Sequence, residues 1–203
     1  MIGYLAEPAP TAESEALFAE DVAEVGYVMN LTRLWAYRPE TLTGLFALAP
    51  SLSFRQKAIL VSATASAFGD PYCALAWGTR LAGVVGAEAA AGVLTDAGAA
   101  PDGGGHGAGG GGHGADGGLT AGERAMAGWA RTVARNPFGT MADDVDPLRA
   151  AGFADSEIFA MTVFVALRMA FSIVNNALGA TPDEQLRQDA PVAVREAVEA
   201  VRR

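Results

Sequence analysis

The chemistry available to this chain centres on one sulfur. Cys73 is its only cysteine, and it lies in GDPYCALAWGTR, Gly69 to Arg80. Gly69 tolerates the left-handed backbone that ends a helix, and a new helix can begin at once. Asp70 is a good N-cap, Pro71 suits the first helical position, and Cys73 falls at the third. The sulfur therefore sits near the partly positive end of a helix, which favours thiolate, the form that attacks peroxides and disulfides. The neighbouring Asp70 carboxylate opposes ionisation, so sequence alone leaves the net sign open. A buried, inert cysteine in an alanine-rich helix is the competing reading.

Three more residues of this stretch belong to the candidate site, each with a structural alternative. Tyr72 can offer a hydroxyl to a pocket or be a half-buried structural tyrosine. Trp77, one turn past Cys73, can be a substrate platform or pack against the sulfur. Arg80, seven residues on, can share the cysteine's helix face or be a solvated charge.

Both histidines, His106 and His113, lie in GGGHGAGGGGHGADGG, which is 11 glycines in 16 residues. Such a stretch is costly to order and reads as a flexible linker. Two imidazoles on that tether, with only Asp116 nearby, make a poor metal site, because binding would have to offset the ordering of the loop. No metal is expected.

The elements that position Cys73 all read as helices. Residues 12 to 25 form one, and residues 26 to 50 two short ones interrupted by Pro39 and stopped by Pro50. Ser53 and Gln56 make a capping box for a helix from Phe54 to Phe68. The cysteine helix continues to about Leu81, and Ala87 to Gly98 can form another. Past the linker, Thr120 and Glu123 cap a helix that Asn136-Pro137 ends, and Thr140 and Asp143 can open one that Gly152 closes. Asp155 and Glu157 load the start of the long apolar helix from Ile158 to Leu178 with negative charge. Thr181, Pro182 and Glu184 mark a further start, and the tail from Pro191 is amphipathic. No stretch has the alternation of a strand, so the expectation is an all-α bundle: a helical domain over 12–185, a glycine-rich linker at 98–119 within it, and a C-terminal amphipathic helix over 186–203.

The chain has 203 residues, 51% of them apolar, enough to bury a substantial core. Ile158 to Leu178 is long enough to cross a bilayer, but Arg168 at its middle and Asn175 and Asn176 near its end favour a core helix in a bundle or subunit interface over a membrane span. MIGYLAEPAP, at the N-terminus, does not resemble a secretory signal. A single cysteine allows no internal disulfide, which fits a reducing cytoplasm. A net charge of -9 disfavours nucleic acid and anionic membranes as partners.

The capped helices, the DPYC segment, LTAGERAMAGWARTVAR and LRAAGFADSEIFAMTVFVALRMAFSIVNNALG together resemble the carboxymuconolactone decarboxylase and alkylhydroperoxidase AhpD-like family, specifically its peroxidase-related branch, over about residues 15 to 185. The resemblance implies a helical fold that assembles into homo-oligomers, often trimers or hexamers, and an antioxidant oxidoreductase with no cofactor. Peroxidase members carry a Cys-x-x-Cys pair, a histidine four residues after the second cysteine, and a glutamate about three turns before the first. Here Cys73 matches the second cysteine, while Asp70, Trp77 and Ala58 take the places of the first cysteine, the histidine and the glutamate. An oxidised Cys73 thus has no internal partner, and the family's proton relay is missing.

Two functions from different classes follow. Cys73 is a one-cysteine, peroxide-reactive thiol, oxidised to sulfenic acid and resolved by an external thiol. Alternatively the chain is a non-catalytic oligomeric scaffold that binds a ligand or a partner protein. A third possibility, acid-base chemistry shared by Asp70 and Cys73, has no indicated substrate. Lactone decarboxylation is disfavoured, because no histidine lies outside the linker.

Overall fold

Local hydrogen-bond chemistry accounts for most of the helix ends. The computed structural model describes residues 3–96 and 118–201, and these contain eleven α-helices and no strand. The helices are α1 (Ala12–Val25), α2 (Asn30–Trp35), α3 (Pro39–Ala47), α4 (Phe54–Phe68), α5 (Pro71–Val85), α6 (Ala87–Thr95), α7 (Ala121–Arg135), α8 (Asp146–Ala150), α9 (Asp155–Ala177), α10 (Glu184–Asp189) and α11 (Val192–Val201). The all-α expectation holds. His106, His113, Asp116 and nearly all of the glycine-rich stretch lie outside the described residues.

The reciprocal caps expected at Ser53/Gln56 and Thr120/Glu123 both form, each satisfying two backbone N–H groups that the helix start would leave unpaired. Gly69 adopts φ +72° and closes α4, and Asp70 opens α5 directly after it. The turn thus places Cys73 at the third position of α5.

α4 is the centre of the fold. Nine consecutive residues, Ala58 to Ser66, are buried, so this helix is enclosed on every side. Its small side chains let α5, α6, α7 and α9 approach it closely. Gly78 does the same for α5: a Cβ there would come within 2.9 Å of Leu94 and 3.0 Å of Val194. α11 packs its buried Val194, Ala197 and Val198 onto α5 and α6.

α9 is long and apolar enough, by length and composition, to cross a membrane. In the fold it packs against α4 and α7, and its inward stripe includes Arg168, Ser172 and Asn175, all buried. These three polar residues therefore face the protein interior. The opposite face carries Phe159, Val163, Ala166, Ala170, Ile173 and Ala177 at helical spacing, with Phe159 71% exposed and Ile173 52% exposed.

Three expected boundaries move. Thr140 and Asp143 do not open a helix; Pro137–Gly139 and Ala142–Val145 form 3-10 turns, and Asp144 takes the Met141 N–H at 2.6 Å. Nor is Thr181 the cap of the following helix. Asp183 occupies that position, with its carboxylate turned to Tyr72 and to the Asn30 N–H. α5 runs on to Val85, past the expected end near Leu81.

Candidate active site

Cys73 is held by three helices. Its backbone N–H donates to Asp70 Oδ1 at 2.9 Å, the bond that caps α5. Asp70 Oδ2 accepts from Ser172 of α9 at 2.6 Å, which ties the cap to the neighbouring helix. From the same face of α9, Arg168 Nη2 donates to Cys73 Sγ at 3.2 Å, and Asn175 Nδ2 approaches the sulfur at 3.9 Å. Asn175 is oriented in turn by Trp35 of α2, whose Nε1 donates to its Oδ1 at 2.9 Å.

Arg168 is encased in aromatic rings. Its guanidinium lies 4.7 Å from the ring centre of Phe171, 5.6 Å from Phe46 and 5.8 Å from Trp77. Trp35 stacks on Phe171 at 5.0 Å, which holds that ring in place. Ring faces attract a cation, but they do not neutralise it.

These groups line a cavity of about 460 Å³, within the size range of small-molecule sites. Cys73, Arg168 and Phe171 lie on one side of it, α1 supplies Leu17, Glu20, Asp21 and Glu24, and α2 and α3 contribute Leu31, Leu42 and Phe46. Cys73 lines this space although it is only 2% exposed.

Burial pushes the Cys73 thiol well above its ordinary range, Arg168 pulls it down, and Asp70 beside it pushes it up again. The resting sulfur is thus a protonated thiol. The helix-start position expected from sequence is present, but the constitutive thiolate that it favours is outweighed by desolvation.

The cavity gathers all the candidate residues except Asp70, which supports it from behind. Tyr72 lines the cavity but is fully buried rather than half-buried, and its hydroxyl donates to Asp183. Trp77 is half-buried between two guanidinium groups, with Arg80 at 5.1 Å from its ring centre. Arg80 is not a free solvated charge; it lies on Trp77 and donates to Glu24 at 2.6 Å, strapping α5 to α1 across the cavity. Ala58, in the place of the family's glutamate, is fully buried in α4.

Sequence reasoning missed Arg168, Ser172 and Asn175 as site residues. A signal was available: a charged residue inside an apolar helix must find a partner or a purpose, because burying it bare is costly. The aromatic lining by Trp35, Phe46 and Phe171 had no comparable signal.

No family model matches the sequence, and no curated protein matches it. Solved structures do. An uncharacterized peroxidase-related protein from Ralstonia eutropha JMP134, described as an alkylhydroperoxidase AhpD core, superposes with a TM-score of 0.72 at 20% identity, covering 92% of this chain and 95% of that one. An uncharacterized peroxidase-related protein from Silicibacter sp. TM1040 gives 0.71 at 20% identity, covering 90% and 92%. The debrominase Bmp8 gives 0.65 at 14% identity over 99% of this chain and 100% of its own, and a cysteine-to-alanine variant of it has been solved with 2,3,4-tribromopyrrole. The fold that the sequence resemblance implies is the fold observed: this chain has the architecture of the AhpD-core, peroxidase-related proteins.

Proposed function

We propose that this protein is an AhpD-like, thiol-dependent oxidoreductase that reduces peroxides with Cys73 as its one redox group. The observation that carries the reading is the Arg168 guanidinium 3.2 Å from the Cys73 sulfur, both residues lining an aromatic cavity. A guanidinium at that distance stabilises negative charge as it develops on sulfur and on the leaving oxygen. Sulfur attacks the terminal oxygen of ROOH, the O–O bond breaks, and the thiol proton ends on the departing alkoxide as ROH, leaving Cys73 as sulfenic acid. With Asp70 where a second cysteine would stand, an external thiol attacks the sulfenic sulfur and releases water. A second external thiol then frees Cys73 and leaves as the disulfide.

Trp77, Arg80 and Tyr72 shape the cavity in this reading, and Asp70 positions the sulfur. The reducing cytoplasm supplies the external thiol, and a homo-oligomer, a trimer or hexamer, is the working assembly. The apolar stripe on the outer face of α9 supports that assembly, since contiguous exposed apolar surface marks protein contacts.

The aromatic lining and the tribromopyrrole-bound neighbour favour a second reading, thiol-dependent removal of a halogen from a small aromatic ring. Both readings are tested by steady-state assays with an external thiol, one with an alkyl hydroperoxide and one with a halogenated pyrrole. Cys73-dependent turnover of the hydroperoxide supports the first reading and of the pyrrole the second. If neither substrate is consumed, a binding scaffold is left.

A further inference from the structure

Arg168 is a buried cation. No Asp or Glu side chain among the described residues pairs with it, its Nε has no hydrogen-bond partner, and the residue is 5% exposed. An uncompensated charge in such a place is expensive, and the three aromatic rings offset only part of the cost. Cys73, the one group bonded to it that could become an anion, is held protonated by burial in the resting protein.

Asp70, the buried carboxylate beside Cys73, is taken up by the Cys73 N–H and Ser172, and the other charges on the cavity are engaged or lie on its far side. Arg80 is paired with Glu24, and Asp21 accepts the Met29 N–H at 2.9 Å. Glu20 is exposed at the α1 rim. The cavity therefore has one acidic edge, an apolar middle and a single unmatched guanidinium beside the sulfur.

We propose that the cavity binds a small apolar monoanion, an aromatic or short aliphatic carboxylate, with its anionic group on the free N–H donors of Arg168 and its hydrocarbon body against Leu31, Leu42, Phe46 and Trp77. A planar guanidinium matches a carboxylate in geometry as well as charge. The acidic α1 edge selects against a second negative group at the ligand's other end. The proposal names a ligand class for this cavity, not the reducible group itself, and rests on the reading above only in taking this cavity as the substrate site.

Calorimetric titration of the reduced full-length protein, without oxidant or external thiol, tests it, so an inert Cys73 leaves the result unchanged. The probes are benzoate and octanoate against their neutral counterparts benzyl alcohol and 1-octanol. At least one carboxylate should bind about tenfold or more tightly than its alcohol, and Arg168→Met should erase that preference while Arg168→Lys keeps most of it. Circular dichroism establishes that each variant is folded, with Arg168→Gln in place of an unfolded Met variant. The proposal is overturned if neither carboxylate binds the wild-type protein, if the alcohols bind as well, or if the preference survives loss of the positive charge.

Discussion

Arg168 and Cys73, 95 residues apart in the chain, meet at 3.2 Å with the guanidinium donating to the sulfur. This contact lowers the cost of ionising a buried thiol, which burial and the neighbouring Asp70 raise.

The thiol's raised pKa has a consequence for stability. An unfolded cysteine titrates near about 8.5, whereas the native one holds its proton to higher pH. Native Cys73 therefore contributes stability that is fully present below the unfolded pKa and is lost as pH rises through the folded one. Urea unfolding between pH 8 and 10 should show the wild-type protein losing stability faster than Cys73→Ser, by up to about 1.4 kcal/mol per pH unit. Parallel slopes would refute this.

Asp70→Asn should bring the thiol down. Asparagine caps a helix as well as aspartate does, so α5 keeps its start while the carboxylate that opposes ionisation is gone. Iodoacetamide alkylation of Cys73, followed against pH by mass spectrometry, should reach its half-maximal rate at lower pH than in the wild type.

Gly78→Val should destabilise the fold by about 2 kcal/mol, because α5 meets Leu94 of α6 and Val194 of α11 with no room for a branched side chain. Equilibrium urea denaturation measures it. A loss below half of that would mean that the three helices adjust easily.

Arg55 joins the starts of α4 and α7. It pairs with Glu123 through Nη2 to Oε2 at 3.0 Å and donates to the Val84 and Gly118 carbonyls. The hydrogen bond from Arg55 holds the Glu123 carboxyl below its usual range. This stability is present above the unfolded carboxyl pKa of about 4.3 and is lost as pH falls through the lower folded value. Arg55→Met should cost about 1 kcal/mol at pH 7 and much less near pH 3, as read from thermal melts at both values.

The parts of this structure written in local chemistry were legible in sequence. Gly69, Asp70 and Pro71 set the turn that puts Cys73 at a helix start, and Ser53 and Thr120 capped their helices, because these bonds span only three residues. Thr181 failed as a cap because the nearby Asp183 is held by tertiary bonds to Tyr72 and Asn30. Arg168, Ser172 and Asn175 could be placed on one face of α9, but nothing local indicates that this face meets Cys73. The protonated state of the thiol was equally hidden, since it follows from burial, which only the packed helices create.

The most direct test is a single-turnover reaction of the reduced protein with cumene hydroperoxide, with the Cys73 sulfenic acid trapped by dimedone and quantified by mass spectrometry. Trapping should yield a dimedone adduct on Cys73, vanish in Cys73→Ser, and slow by about tenfold in Arg168→Met. No adduct in the wild-type protein, or a trapping rate indifferent to Arg168, would contradict the assignment of this pair as the redox centre.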